Sequence, residues 1–248
     1  MGFFEWFGGL GTFSWRALRA AVSPPFEWRE LIRQFDEVGS QSLPLVALAG
    51  AATGAVLSME VRSSMAHFGA TSILPSAVVY GVIQEMGPMI TGLVVGGRVG
   101  AGIGAELASM KVTEQVDAIE VSAINPYRLL AATRILACIL MLPLLTVAAD
   151  ASGVLMGWVA QTLAQPISFR QFIDTGFAGS TLKDFLPPTF KTAVFGLIIG
   201  LIACFQGMRT RGGAAGVGRA ATNSVVLASL FVILADVVLV KLILVVFQ

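Results

Sequence analysis

Residues 85–120 read EMGPMITGLVVGGRVGAGIGAELASMKVTEQVDAIE, and this stretch decides the fold class. Its first part is apolar, and a charged part follows it directly. Small residues recur at every fourth position, at Gly92, Gly96, Gly100 and Gly104. On a helix this spacing makes one smooth ridge, which lets a second helix approach closely in lipid. We therefore predict a membrane helix that continues without a break into a charged helix ending near Pro126.

The overall composition is that of a membrane protein. Of the 248 residues, 56% are hydrophobic and only 12% are charged, whereas a soluble domain carries about 25% charged residues. Mean hydropathy is +0.82. The net charge of +1 gives no reason to expect a nucleic-acid partner. A single histidine, His67, excludes a histidine metal cluster, so we predict no metal site.

Hydropathy divides the chain into two predicted regions. Residues 1–40 interleave aromatic and basic side chains, which predicts interfacial amphipathic helices broken at Pro24 and Pro25; the alternative is a soluble N-terminal cap. Residues 41–248 are predicted to form a five-span membrane domain, because each apolar segment is near the roughly 20 residues that cross a bilayer. The five segments are 43–61, 73–97, 129–160, 188–207 and 223–247. We predict an all-α membrane protein, whose third span is long enough to tilt or to break at Pro143.

The placement of lysine and arginine predicts the orientation, because cytoplasmic loops carry the excess of basic residues. With a cytoplasmic N-terminus, eleven basic residues fall inside and four outside; the four are Arg62, Arg170, Lys183 and Lys191. Residues 98–128 are then cytoplasmic and 161–187 form the main external loop. Residues 212–218, with four glycines, are interpreted as a flexible cytoplasmic link before the last span.

Three carboxyl groups lie within predicted spans: Glu85, Asp150 and Asp236. An ionisable residue at that depth is costly and faces a protein interior or a water-filled cavity. Glu85 follows Gln84 and precedes Pro88, which removes a backbone hydrogen bond and favours a kink. We interpret Glu85 as part of a cavity wall or gate; the alternative is a structural carboxyl bonded to a neighbouring helix.

Asp150 and Asp236 are interpreted as interhelical hydrogen-bonding groups, and a proton relay is the alternative. Lys241 is the one obvious basic partner, yet it stands five residues after Asp236 and is poorly placed to pair along one helix. Met59, Met89 and Tyr80 lie near the level of Glu85. Methionine-rich walls suit a flexible hydrophobic ligand, although ordinary helix packing explains these residues equally well.

The charged stretch at about residues 104–122 is predicted to be a cytoplasmic helix that docks on a soluble partner. Leu107, Met110, Val116 and Ile119 share an apolar side. Its polar residues are mostly acidic: Glu106, Lys111, Glu114, Gln115, Asp117 and Glu120. The alternative is a solvated loop helix.

Nucleotide-binding motifs are absent from the sequence. There is no GxxxxGK[ST] pattern, and the glycines at 100, 102 and 104 lie in an apolar helix without the preceding strand that a nucleotide fold requires. We therefore predict that the chain does not bind ATP through these motifs, and we expect no catalytic residue in it.

The run E-x-G-P-x(3)-G-L-x(3)-G-R-x-G-x(3)-A-E-x(3)-M-x(2)-T-E-Q-x(2)-A, from Glu85 to Ala118, resembles the MlaE-like (YrbE) permeases of MCE-associated ABC lipid transporters. Asn125-Pro126, Arg134, the segment 141–146 and a serine-containing last span with Asp236 are also similar to that family. The similarity covers essentially the whole chain after about residue 30.

The resemblance implies a homodimer with an N-terminal interfacial helix and five spans per subunit in the bacterial inner membrane. It implies a coupling helix, here residues 106–120, that docks on a separate ABC ATPase, which binds ATP and magnesium. A periplasmic MCE-domain protein is the third partner. Phospholipid or another hydrophobic cargo occupies a pocket lined by spans one, two and five, with Glu85 as the pocket acid.

One position departs from the family pattern. Many members carry a basic residue before the pocket acid, where this chain has Gln84. A less charged cargo, such as a sterol-like or fatty molecule, therefore stays open. Two alternatives to the permease remain at this point: a proton-coupled secondary transporter that uses the buried carboxyl groups, and a membrane scaffold assembled by its glycine ridges.

Overall fold

The computed structural model describes residues 3–22, 27–67, 69 and 71–247. Every regular element within these ranges is a helix. The predicted break at Pro24 and Pro25 lies outside the described residues. The all-α fold class is confirmed, because the apolar runs of the sequence form long helices and satisfy their backbone hydrogen bonds internally, as a bilayer requires.

Ten α-helices follow one another along the chain. They are α1 (Phe3–Val22), α2 (Trp28–Phe35), α3 (Leu43–His67), α4 (Leu74–Gly81), α5 (Gly87–Val112), α6 (Gln115–Val121), α7 (Thr133–Thr162), α8 (Phe169–Gly176), α9 (Leu182–Met208) and α10 (Gly213–Phe247). Three widened π-helical turns interrupt the α-helices. Asp36–Ser40 lies between α2 and α3, Val82–Met86 lies between α4 and α5, and Tyr127–Ala132 directly precedes α7.

Five helical stretches are long and apolar enough to cross a membrane, which confirms the predicted number of spans. They cover Trp28–His67, Leu74–Val112, Tyr127–Thr162, Asp184–Met208 and Gly213–Val246. Each covers one predicted segment to within one residue and extends beyond it at one end or both, because polar residues at the ends of an apolar run continue the helix into the headgroup region. The third span continues through Pro143 without a break.

Two short segments differ from the sequence interpretation. The predicted external loop contains α8, whose Ser168 side chain caps the helix by accepting a hydrogen bond from the Gln171 backbone. The predicted flexible link at 212–218 is largely helical, because α10 begins at Gly213. Gly212 and Gly213 adopt positive φ angles of 88° and 56°, so the glycines serve the turn before α10.

Contacts divide the chain into two compact units. Unit 1 consists of Met1–Gln41, Val95–Leu142 and Ala193–Ala235, and unit 2 of Ser42–Val94, Pro143–Thr192 and Asp236–Gln248. The boundary predicted at residues 40 and 41 stays a prediction.

Unit 1 has a core of fully buried apolar side chains: Leu107, Ile135, Phe195, Ile199 and Phe205. Its helices approach closely at glycines. A Cβ atom on Gly200 would lie 2.9 Å from the Ile135 Cα, and one on Gly196 would overlap the Cys138 carbonyl. Helix α1 contributes Phe13 and Ala17 to the interior and exposes Phe4 and Trp15. The amphipathic character predicted for the N-terminal region is therefore present in α1.

Unit 2 has a core built from α4, α7 and α8, with Leu74, Val78, Val79 and Phe172 fully buried. Helices α3 and α7 pack backbone against backbone. A Cβ atom on Gly54 would overlap the Gly153 backbone, and one on Gly50 would overlap that of Ala149. Close backbone approach at small residues is the usual basis of helix association in lipid.

Candidate functional site

A buried ammonium group between two carboxyl groups is the most unusual feature of the spans. In unit 2, the Lys191 Nζ lies 2.9 Å from the Glu85 Oε2 and 2.9 Å from the Asp236 Oδ1. The approach to Glu85 has hydrogen-bond geometry, whereas the approach to Asp236 is a charge contact outside that geometry. We name these three residues the Lys191 group.

The members of the Lys191 group differ in exposure. The Lys191 and Asp236 side chains are 1% and 3% exposed, whereas that of Glu85 is 37% exposed. A buried ion is tolerated in a membrane protein when it is paired with an opposite charge. The cluster is therefore anchored by a closed Lys191–Asp236 pair, and its accessible edge is the Glu85 carboxylate.

Three separate elements bring the Lys191 group together. Glu85 lies in the widened turn Val82–Met86 that precedes Gly87 and Pro88. A π-turn redirects side chains relative to a regular α-helix, and such turns are frequent at functional sites. Lys191 stands in α9 shortly after Pro187 and Pro188, and Asp236 stands in α10.

Lys191 is the candidate site residue that sequence reasoning missed. The count of basic residues that set the predicted orientation assigned Lys191 to the outside, although the predicted segment 188–207 contains it. The available signal was a lysine inside an apolar run, which is rare enough to indicate a buried partner. Lys241, the partner weighed from the sequence, is exposed. Asp236 of α10 contacts the Lys191 ammonium of α9, and its predicted role as an interhelical hydrogen-bonding group stays a prediction.

Asp150 lies against a different part of the second span, also within unit 2. Its side chain is buried, and the Oδ1 has no hydrogen-bond partner among the described residues. A Cβ atom on Gly87 would overlap this carboxyl group. Glycine at position 87, directly after the widened turn Val82–Met86, therefore makes room for Asp150.

The other residues predicted to line a pocket have separate environments. Tyr80 donates a hydrogen bond of 2.9 Å to the Ser180 Oγ, and its ring packs against Phe185. Met59 is 58% exposed on α3. Gln84 lies within the widened turn and Met89 in α5 after it, and both are half-buried. Their assignment to a lipid pocket stays a prediction.

The predicted charged helix at about residues 104–122 is not continuous, which corrects the expectation of an unbroken element. Helix α5 ends at Val112 and α6 begins at Gln115. Glu114 adopts a left-handed φ of 59° between them. Threonine has a low helix propensity, and the Thr113 hydroxyl bonds back to the Ser109 carbonyl at 2.8 Å, an interaction that competes with helix continuation.

The polar residues of this segment have two kinds of environment. Lys111 pairs with Asp117 across the break, at 2.5 Å between Nζ and Oδ1. Glu114, Gln115 and Glu120 are exposed, and Val116 is buried. The segment therefore presents an acidic surface, whose docking role stays a prediction.

Glu106 belongs to a second buried ion-pair cluster, in unit 1. The Arg134 side chain is 1% exposed, and its Nη2 lies 2.8 Å from the Glu106 Oε1. Glu30 lies 3.9 Å from Arg134 and 2.8 Å from Arg33. We name these four residues the Arg134 group. It ties α2, α5 and α7 together.

The glycine ridge of α5 is used within the chain. A Cβ atom on Gly96 or Gly100 would stand 3.6 Å or 3.7 Å from Ile199, which is ordinary van der Waals contact. Gly92 is buried, and Gly104 packs closely against Ser224. Of Gly96, Gly100 and Gly104, only Gly104 has a neighbour closer than ordinary contact, and the homodimer stays a prediction.

Comparison with known proteins assigns this architecture to a family. The family model described as "Permease MlaE" matches residues 31–242. A probable ABC transporter permease protein of Rickettsia typhi is 34% identical over 235 residues, which cover 95% of this chain and 91% of that protein. Probable ABC transporter permease proteins of Synechocystis sp. and Pyropia yezoensis are 32% and 30% identical and cover 84% of this chain. The aligned parts are 79% and 80% of those two proteins.

Proposed function

Because the chain belongs to the MlaE permease family, we propose that it is the membrane subunit of an ABC transporter that moves a phospholipid or another hydrophobic molecule. The observation that carries the cargo proposal is the Lys191 group. It places fixed charge deep within the spans, with one carboxylate edge accessible. An amphiphile that crosses the protein needs such a polar point for its headgroup and apolar surface for its chains.

The charge of the Lys191 group narrows the class of cargo. Two carboxyl groups face one ammonium group, so no positive charge is left over for an anionic headgroup. Gln84, beside Glu85, adds no charge. We therefore favour a cargo with a neutral or zwitterionic headgroup, because an anionic one would meet the Glu85 carboxylate.

Energy conversion is assigned to a partner. The sequence has no ATP-binding motif, so ATP and magnesium are expected on a separate ABC ATPase. The acidic surface of α6 and the preceding turn is the proposed coupling element, since its exposed carboxyl groups suit a soluble, basic groove. A periplasmic MCE-domain protein and a second copy of this chain complete the proposed complex, in the inner membrane with a cytoplasmic N-terminus.

Family membership favours the ABC permease over the proton-coupled alternative. In the alternative, the buried carboxyl groups would carry protons and transport would follow a pH gradient without ATP. The relatives are named as ABC transporter permeases, and Lys191 gives two of the three carboxyl groups a structural counter-charge. The partner ATPase distinguishes the two possibilities directly.

The first experiment is affinity purification of the tagged chain from its native membrane, with mass spectrometry of bound proteins and lipids. We expect an ABC ATPase, an MCE-domain protein and an enriched lipid with a neutral or zwitterionic headgroup. A chain that purifies without an ATPase contradicts the ABC assignment. An ATPase with only anionic lipid would overturn the cargo class alone.

A second experiment tests coupling through α6. The double variant Glu114→Lys and Glu120→Lys reverses two exposed charges, so we expect loss of ATPase co-purification and of lipid-stimulated ATP hydrolysis. The control Glu60→Lys and Asp174→Lys reverses two exposed carboxyl groups of unit 2. Equal ATPase binding by both double variants contradicts the coupling role.

A further inference from the structure

A basic cavity opens in unit 1 where α9 ends and α10 begins. Its volume is about 550 Å³. Four of its lining residues are basic and none is acidic: Lys111, Arg209, Arg211 and Arg219. Positive charge collected at one concave site, without carboxyl groups in its lining, favours an anionic ligand.

Two of the four basic side chains are without a counter-charge. None of the ion pairs between described residues includes Arg211 or Arg219. Both side chains are exposed. Lys111 is already paired with Asp117, and the Arg209 guanidinium lies 4.9 Å from the centre of the Phe205 ring. Arg211 and Arg219 are therefore the groups that an anion would neutralise.

The turn between the two helices shapes the cavity. Gly212 and Gly213 have positive φ angles, which reverse the chain directly before α10. A Cβ atom on Gly216 would overlap the Arg211 carbonyl, so Arg211 is held close to the first turn of α10. That helix has 35 residues. The partial positive charge of its N-terminus adds to the field of the arginines.

The position of the cavity identifies the source of the anion. It lies at the ends of two membrane spans, at Met208 and Gly213, and phospholipid headgroups occupy that level of a bilayer. Trp6 of α1 also lines the cavity, and tryptophan is enriched at the headgroup level. Basic pockets between membrane helices are suited to anionic headgroups.

We propose that this cavity binds the phosphate group of an anionic phospholipid through Arg211 and Arg219. The lipid is a bound component of the protein, and its site differs from the Lys191 group in charge: four basic residues without a carboxyl group, against one ammonium between two carboxyl groups. The proposal is independent of the transported cargo, since it concerns a binding site that can be measured without transport.

Native mass spectrometry of the full chain in a neutral detergent tests the proposal. The probes are dioleoyl phosphatidylglycerol, dioleoyl phosphatidylcholine and inorganic phosphate. We expect the wild type to bind phosphatidylglycerol more tightly than phosphatidylcholine. The double variant Arg211→Gln and Arg219→Gln should bind phosphatidylglycerol about tenfold or more weakly, with phosphatidylcholine binding unchanged.

The matched control is the double variant Arg29→Gln and Arg170→Gln, which removes two exposed arginines outside the cavity lining and leaves the total charge equal to that of the test variant. We expect it to bind phosphatidylglycerol as the wild type does. Equal loss in both double variants would show that only net charge matters and would overturn the site. Equal retention in both would overturn it as well.

Two further measurements use the wild type alone, so the test does not depend on the folding of a variant. Phosphatidylglycerol binding should weaken as salt is raised, because the contacts at this surface are screened. An excess of inorganic phosphate should not displace the lipid, since free phosphate lacks acyl chains. Salt-independent binding, or displacement by phosphate, contradicts a lipid headgroup as the ligand.

Discussion

The Arg134 group of unit 1 and the Lys191 group of unit 2 each compensate a buried positive charge, but they do so with different numbers of cations. Each has one cation that is 1% exposed between carboxyl groups from other helices. In unit 1 a second cation, Arg33, lies 2.8 Å from Glu30 and 3.8 Å from Glu106, so both carboxyl groups next to Arg134 contact two cations. The partly exposed Glu37 lies 3.9 Å from Arg33. In unit 2, Lys191 is the one cation that is paired with Glu85 and Asp236 among the described residues.

This difference separates a structural cluster from a candidate functional one. The Arg134 guanidinium also donates to the Leu130 carbonyl at 2.9 Å, and its planar fork holds several acceptors at once. The loss of one contact there leaves others in place. In the Lys191 group, no second cation within the described part of the chain is paired with the carboxyl groups, and the Glu85 side chain is 37% exposed. A cluster whose carboxyl groups share a single cation and have one accessible edge can respond to a ligand, whereas one whose carboxyl groups contact two cations mainly fixes helices.

The largest expected effect is that of Lys191→Met. It leaves two carboxyl groups without a counter-charge deep in the spans, and breaking a buried pair in this way costs about 3–5 kcal/mol. We expect a large fall in the thermal unfolding midpoint in detergent and loss of lipid transport. Lys241→Met is the matched control, because Lys241 is exposed and its loss should leave both measurements near wild type. Equal unfolding midpoints and equal transport in the two variants would contradict a role of the Lys191 group in stability and transport.

Arg134→Met is expected to have a smaller effect on stability. Glu30 and Glu106 keep Arg33 as a counter-charge, and their partial exposure lets water screen them. We expect a loss of about 2 kcal/mol in the free energy of unfolding, below that of Lys191→Met. Thermal unfolding of both variants in the same detergent checks the order. A larger loss for Arg134→Met would reverse the comparison between the two clusters.

Glycine substitutions compare the helix packing of the two units. Gly54→Ala in unit 2 places a methyl group into the Gly153 backbone, and overpacking of this kind costs about 1–3 kcal/mol. Gly96→Ala in unit 1 meets only the Ile199 side chain at 3.6 Å, so we expect less than about 1 kcal/mol. Thermal unfolding measures both. Equal losses would contradict the closer backbone contact in unit 2.

The smallest stability effects are expected for single carboxyl-to-amide changes, which sharpen the functional comparison. Glu85→Gln and Glu106→Gln each neutralise a partly exposed carboxyl group, so each should cost about 1 kcal/mol or less. We expect only Glu85→Gln to change the composition of co-purified lipids, with a larger share of anionic headgroups than in the wild type. Unchanged lipids in the Glu85→Gln preparation would contradict a cargo contact at Glu85.

The sequence predicted the spans better than the contacts within them. Apolar runs and their lengths located five membrane helices, and the depth of Glu85 and Asp236 marked both as unusual. The glycine period marked α5 as a packing surface, yet closer backbone contacts lie at Gly50, Gly54 and Gly196, which are outside that period. Spacing along one helix cannot show which helix lies opposite.

Two local errors have a similar cause. The charged stretch at about residues 104–122 was predicted to be one continuous helix. Glutamate is a good helix former, so nothing in the sequence indicated that Glu114 adopts a left-handed φ. Lys191 was counted with the external residues, because its partner Glu85 is 106 residues away. The Glu114 backbone angle and the Lys191–Glu85 contact both depend on the tertiary structure and cannot be inferred from the residues adjacent in sequence.

By itself, the sequence determined five segments long and apolar enough to cross a membrane, because the transfer of apolar side chains into lipid acts locally along each helix. The motif from Glu85 to Ala118 carried the resemblance to the permease family. Only the tertiary structure decided which charges meet. It paired Lys191 with Glu85 and Asp236 and left Arg211 and Arg219 without a carboxyl partner among the residues that the structure describes. The reason is physical: a buried charge is stabilised by whatever lies within a few ångströms of it, and packing sets that distance.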